Sequence, residues 1–171
     1  MKSCAALLLF VLLVSSCHQK HRRVIRGFYY WKTHFRPGPF EKTYLDSLHT
    51  EKLYVKFFDI LWDPLQQAAL PVAKIRVADT AFLKRRQLVP TVFITNETLY
   101  KLDSSRVRLL AGNIVSLLLK YQQLYQLDNV KEIQMDCDWT VATRDKYFYL
   151  LERIKSLHPE KYFPPPSDCI R

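Results

Sequence analysis

Two carboxylates one residue apart, Asp136 and Asp138, lie within the run Glu132-Ile133-Gln134-Met135-Asp136-Cys137-Asp138-Trp139-Thr140, where the side chains best suited to chemistry are concentrated. In extended backbone, successive side chains point to opposite faces. Gln134, Asp136, Asp138 and Thr140 then share one face, and Ile133, Met135 and Cys137 the other. Two carboxylates separated by two strand rises, roughly 6.5 to 7 Å, repel one another and tend to raise the pKa of one, which suits that group to acid or base work. Asp136 and Asp138 are therefore the candidate catalytic residues. Tyr30, Lys32, Lys56, Asp59, Gln134 and Trp139 are candidate substrate-binding groups around them. A structural reading stands beside the catalytic one: Asp136 and Asp138 would pair with cations such as Lys32 or Lys56 to form a polar layer without catalysis. Tyr29, Tyr30, Trp31 and Trp139 offer ring faces on which sugars stack, although strand aromatics equally serve as plain core.

Several chemistries have no support. The histidines at 18, 21, 34, 49 and 158 lack the spacing of a metal-binding helix, and no calcium-loop pattern surrounds the aspartates. There is no glycine-rich phosphate loop and no Gly-x-Ser-x-Gly nucleophile motif. The expectation is no metal and no cofactor.

The elements that must position these residues alternate between strand and helix. Val24 to Thr33, rich in aromatic and β-branched residues, reads as a first strand, broken by Arg36-Pro37-Gly38-Pro39. Phe40 to Thr50 places Phe40, Tyr44 and Leu48 at helical intervals, and Leu53 to Leu61 reads as a second strand with Asp59 late in it. Residues 63 to 87 show no convincing amphipathic helix and one short strand at Ala73 to Val77. Leu88 to Thr95 follows as a third strand. Val107, Leu110, Ala111, Ile114, Leu117, Leu118, Tyr121 and Leu124 trace one helical face behind a Ser104 or Ser105 cap. After a turn at Asp128-Asn129 comes the carboxylate strand, and then Tyr147, Leu150, Leu151, Ile154 and Leu157 repeat the helical pattern from a Thr143 cap until His158-Pro159. Strands alternating with helices select an α/β class with a mainly parallel sheet.

The amino terminus sets the expected compartment. Met1-Lys2-Ser3 followed by an apolar stretch from Ala5 to Val14 has the form of a secretion signal too short to span a bilayer. Val14-Ser15-Ser16-Cys17 resembles a lipobox, which makes Cys17 the expected lipidation site, carrying acyl chains such as palmitate. Residues 1–16 are then the signal peptide and 17–23 a basic tether, and 24–171 form one domain in a lipid-anchored protein of the bacterial cell envelope, facing the periplasm. The reading against this is a plain cleavable signal with an incidental cysteine. A formal charge of +10 and the tract His18-Gln19-Lys20-His21-Arg22-Arg23 suit anionic lipid head groups. Nucleic acid is not expected, because no motif for it is present. Cys137 and Cys169 are expected as free thiols.

Four blocks carry a likeness to known sequences: Gly27 to Thr33, Leu53 to Asp59, Val89 to Asn96 and Glu132 to Thr140. They resemble an uncharacterised envelope lipoprotein family of Bacteroides-type bacteria whose longer members look like glycosidase-type barrels. Asp136-Cys137-Asp138-Trp139 is also similar to the Asp-x-Asp-Trp-Glu strand of chitinase-like glycosidases, in which the glutamate is the general acid. Thr140 stands at that position here, and a hydroxyl cannot protonate a glycosidic oxygen. A complete (β/α)8 TIM barrel takes about 250 residues. The resemblance therefore implies half of a glycosidase-like barrel, with truncation expected, in a chain of 171 residues. The implied function is carbohydrate handling, with catalysis left open. The alternatives are a noncatalytic glycan-binding or scaffold lipoprotein, or a truncated product without independent function. Self-association or a complementary half-barrel is the expected way of covering its open edges.

Overall fold

A computed structural model describes residues 24–157. The signal-like segment, Cys17, the basic tether and Cys169 lie outside the described residues. In chain order the elements are β1 (Gly27–Tyr30), β2 (His34–Phe35), α1 (Pro39–Ser47), β3 (Lys52–Asp63), β4 (Ala68–Val72), β5 (Arg76–Val77), α2 (Thr80–Lys84), β6 (Gln87–Ile94), α3 (Asn96–Lys101), α4 (Ser104–Tyr125), β7 (Gln134–Asp136) and α5 (Arg144–Leu157).

The main sheet runs β1-β3-β6-β7, all parallel, so spatial neighbours follow chain order. β4 folds back antiparallel on the carboxyl half of β3, and β2 and β5 form a separate parallel pair. This is an α/β fold with a mainly parallel sheet, as the alternation of elements indicates.

Register separates the two faces. Leu53, Val55, Phe58 and Ile60 of β3 lie beside Leu88, Pro90, Val92 and Ile94 of β6. All eight are buried, on the face that packs under helices. From α4 come Val107, Leu110, Ala111, Ile114, Leu118 and Tyr121, and from α5 Tyr147, Leu150 and Ile154. Most of the helical stripe read from the sequence is thus core, but Leu124 and Leu157 are exposed and Val115, outside that stripe, is buried. The α4 cap is Asp103, one residue before the expected serines, and its carboxylate accepts from Arg106 N at 2.9 Å. At the other end of α4 the chain turns through Gln126 at φ 52°, a left-handed position that usually favours glycine or asparagine. Tyr147 Oη donates to Met135 O at 2.9 Å and so ties α5 to β7.

One irregularity decides the polar face. Between Lys56 and Phe58 the β3–β6 register slips by one residue, making Phe57 a bulge. Phe57 and Phe58 are both fully buried and both pack on Tyr121, with centroids 5.7 and 6.3 Å away. The bulge carbonyl is not wasted, since Phe57 O accepts from Ile75 N at 2.7 Å. Beyond the bulge the alternation is inverted, so Lys56 and Asp59, three residues apart, fall on one face.

The structure departs from the sequence reading in several places. The first strand is confined to Gly27–Tyr30, and the carboxylate strand stops at Asp136 rather than Thr140. Its neighbour β6 runs only one residue, Ile94, past the Phe93 that pairs with Asp136, and Thr95 then turns away to cap α3. Residues 59–72 form a hairpin whose turn is held by Asp63 accepting from Leu65 N and Gln66 N, with Gln67 at φ 50°. The expected strand at Ala73 to Val77 shrinks to Arg76–Val77, and two short helices, α2 and α3, begin at Asp79 and Thr95 caps. Among the described residues no helix is long and apolar enough to cross a membrane.

Candidate functional site

The face opposite the helices carries the polar residues. Tyr54, Lys56 and Asp59 of β3 register with Val89, Thr91 and Phe93 of β6, while Thr91 and Phe93 register in turn with Gln134 and Asp136 of β7. From β1 only Gly27 and Tyr29 share this face, beside Lys52 and Tyr54.

The sheet is bent around these side chains. β1 and β7 are three strand spacings apart, about 14 Å in a flat sheet. Tyr29 Oη nonetheless donates to Gln134 Oε1 at 3.0 Å, joining the first strand to the last across the face. Only a sheet curled towards this side lets two such side chains meet, so the face is concave. Gly27 contributes to the fit: a Cβ there would lie 2.8 Å from the Tyr54 ring, which occupies the vacant space. Tyr54 stacks on Tyr29 with centroids 4.5 Å apart, and Tyr29 in turn lies parallel to Trp31 at 6.0 Å. Tyr29 and Trp31 are 43% and 46% exposed, so this row of rings reaches solvent at its Trp31 end.

Charge is unevenly distributed along the concave face. At the amino ends of the strands, Glu132 accepts from both Lys52 Nζ and Gln87 Nε2, and all three side chains are half-buried. At the carboxyl ends, Lys56 Nζ contacts Asp59 Oδ2 at 2.9 Å, while Asp59 Oδ1 is buried with no partner among the described residues. Asp136, half-buried next to Phe93, has no salt bridge among the described residues. Burial, and secondarily the Asp138 charge, raises the Asp136 carboxyl above its usual range, with a partial offset from the Cys137 N–H. The same surroundings push the Cys137 thiol up to about 12, chiefly by burial, so the sulfur is a poor nucleophile near neutral pH. Cys137 is a free thiol, as expected, although it lies just past the strand and is only half-buried.

The other candidates fall in different places. Gln134, Asp136, Lys56 and Asp59 are brought together on the concave face. Asp138 lies beyond the strand and is exposed, coupled to Asp136 by charge alone. Tyr30 is on the opposite face, 6% exposed, with its ring edge-on to Phe35 and its hydroxyl donating to His34 O. Lys32 extends outward to Glu41 of α1 at 2.8 Å, so neither it nor Lys56 is the cation opposite Asp136. Trp139 packs over the start of α5, with centroids 6.5 Å from Tyr147 and 5.9 Å from Phe148. Thr140 lies in the turn before α5: its N–H donates to Thr143 Oγ1 at 2.9 Å and its carbonyl accepts from Arg144 N at 2.8 Å. Its role there is to start the helix.

Sequence reasoning missed Tyr54, Lys52, Gln87, Thr91 and Glu132 as members of this face. Lys52 and Tyr54 share Lys56's alternation along β3 and were open to the same period-two argument. The others depend on the pairing register, which the sequence does not carry. Among the described residues no three histidine, cysteine or carboxylate side chains are placed to hold a metal ion. No family model and no curated protein matches the chain.

Proposed function

We propose that the concave face is a carbohydrate-binding cleft on an envelope lipoprotein, and that the sheet is half of a glycosidase-like barrel. The observation that carries the functional reading is the row of parallel rings Trp31–Tyr29–Tyr54, exposed at its Trp31 end, whose middle ring is hydrogen-bonded to Gln134 of the strand that also carries Asp136. Exposed parallel rings bordered by carboxylate and amide acceptors meet the needs of a sugar, whose C–H faces stack and whose hydroxyls donate. The barrel reading is supported by parallel strands that are neighbours in chain order, since a doubly wound sheet would reverse direction at a switch point. The lipid anchor rests on the Val14 to Cys17 motif, which also supports an envelope location and membership of the lipoprotein family that the blocks resemble.

Binding is favoured over hydrolysis. A carboxyl held above its usual range, such as Asp136, has the property of a general acid. Glycoside hydrolysis also needs a second carboxylate on the far side of the bond. Asp59 is held by Lys56, Asp138 follows on the same segment as Asp136, and Thr140 is engaged in a helix start. No carboxylate pair flanks the cleft among the described residues.

An oligosaccharide array on the full chain, followed by titration calorimetry on the best binder, tests this. Trp31→Ala removes an exposed ring and should weaken binding about tenfold, close to 1.4 kcal/mol, with an unchanged melting temperature. Absence of any binding glycan, or a Trp31→Ala variant that binds as well as wild type, would sink the proposal. Reducing sugar released by wild type and lost in Asp136→Asn would replace binding with hydrolysis.

A further inference from the structure

At the amino ends of β3 and β6, on the opposite end of the sheet from Asp136, lies a cleft of about 490 Å³ that the glycan reading does not use. Its lining includes Lys84, Arg85, Arg86 and Lys131, with Glu51 the one carboxylate among its lining residues. Asp46, just outside, is engaged by both Arg85 and Arg86. Lys84 and Lys131 are exposed and form no salt bridge among the described residues. The cleft therefore has a surplus of positive charge.

Its floor is fixed rather than fluid. The Arg86 side chain is only 7% exposed; Nε donates to Thr50 O at 3.0 Å and Nη2 to Asp46, while Nη1 is buried without a partner among the described residues. Asn129 pins the adjoining backbone, donating from Nδ2 to Leu83 O and Arg86 O at 3.0 and 2.6 Å. A mostly buried guanidinium held in place over the Phe82 ring, in a cleft also lined by two exposed ammonium groups and a second arginine, gives a preformed positive surface that suits the charge of a phosphate.

We propose that this cleft binds a phosphate group. The chain's own layout names the source: Arg26 O accepts from Glu51 N and Lys52 N at 2.9 and 3.1 Å, so the described chain starts at the rim of the cleft. Residues 17 to 26, at most about 3.5 Å each, then keep the cleft within roughly 30 Å of the attachment point. Resting on the reading of Cys17 as lipid anchor, the ligand is the headgroup phosphate of an anionic phospholipid. The basic end then faces the bilayer, and the end bearing Asp136 faces away from it.

The test uses the full chain and two probes, inorganic phosphate by calorimetry and flotation on phosphatidylcholine vesicles with or without phosphatidylglycerol. Lys84→Ala/Lys131→Ala, at exposed positions, should weaken phosphate binding about tenfold and remove the phosphatidylglycerol-dependent part of flotation. If phosphate binding falls but flotation does not, the cleft stands and its ligand is a soluble phosphate compound, which overturns the headgroup assignment. No saturable phosphate binding, or binding equal in wild type and the double variant, overturns the cleft itself. None of these readouts involves a glycan, so failure here is distinguishable from failure of the sugar-binding reading.

Discussion

Glu132, two residues before β7, and Asp136, at its end, lie four residues apart on one side of the sheet, yet the fold treats them differently. Glu132 is clasped by Lys52 from β3 and Gln87 from β6, so burial is matched by a cation and a neutral donor. Asp136 is buried to a similar class with no cation, and its carboxyl is held above its usual range in consequence. Gln134, between them, takes an intermediate position, its amide oxygen accepting one long-range hydrogen bond from Tyr29. Along these residues the face changes from polar groups that hold strands together to a polar group whose bonding capacity is left over. Leftover capacity is where a ligand gains most, because a partnered carboxylate must first lose its protein partner.

The sharpest way to break this contrast is to remove the paired carboxylate. Glu132→Ala strands Lys52, whose side chain is 16% exposed, and should cost about 3 kcal/mol in urea unfolding. Replacing both partners, as Lys52→Met with Glu132→Leu, should recover most of that loss, since the pair's net contribution is small once neither charge is left alone. If Glu132→Ala is as stable as wild type, Glu132 is no more structural than Asp136 and the contrast collapses. A smaller effect is expected between the two carboxylates. Tyr29→Phe keeps the ring stack but deletes the bond to Gln134, and should cost about 0.5 to 1 kcal/mol while leaving Trp31 in place for sugar stacking.

Part of this gradient was legible beforehand. Period-two alternation placed Gln134 and Asp136 on a polar face and Ile133 and Met135 in the core, and the structure agrees: Gln134 to Asp136 form β7, and Ile133, just before it, and Met135 are buried. The same rule misled where the backbone departs from it. Counting by twos from Lys56 puts Asp59 on the opposite side, and only the bulge at Phe57 brings the two within 2.9 Å. Nothing in a run of Phe57-Phe58 announces that bulge, since both rings serve the core equally well. Tyr30 looked as suitable as Tyr29 because the first strand is aromatic on both faces, and which ring faces inward is decided by pairing with β3. The hairpin turn at Pro64 to Gln67 lacks glycine at its left-handed position, so the usual turn signal was absent. Thr140 resembled a catalytic position in the spacing of its neighbours, but spacing carries strand geometry only while a strand continues, and this one ends at Asp136.

The smallest effect sharpens the comparison most, because its sign is opposite to that at Glu132. Asp136 has a folded-state pKa raised from 3.8, so its protonated form is the one the fold prefers, and ionising it costs stability. The favourable contribution of the protonated carboxyl is fully present below the unfolded value and is lost as pH rises through the folded one. An asparagine side chain in its place would mimic the protonated acid at every pH. Asp136→Asn should therefore melt slightly higher than wild type at neutral pH. That gap should open as pH climbs through the interval between 3.8 and the raised value, stay constant above it, and vanish below 3.8. At the same time the variant should bind glycan more weakly at neutral pH, having lost the charged acceptor beside the ring ladder. Thermal melts across pH, paired with glycan titrations, read both halves. A variant less stable than wild type at pH 7 would mean that Asp136 is partnered as Glu132 is, and a pH-independent gap would show that packing rather than charge separates the two side chains.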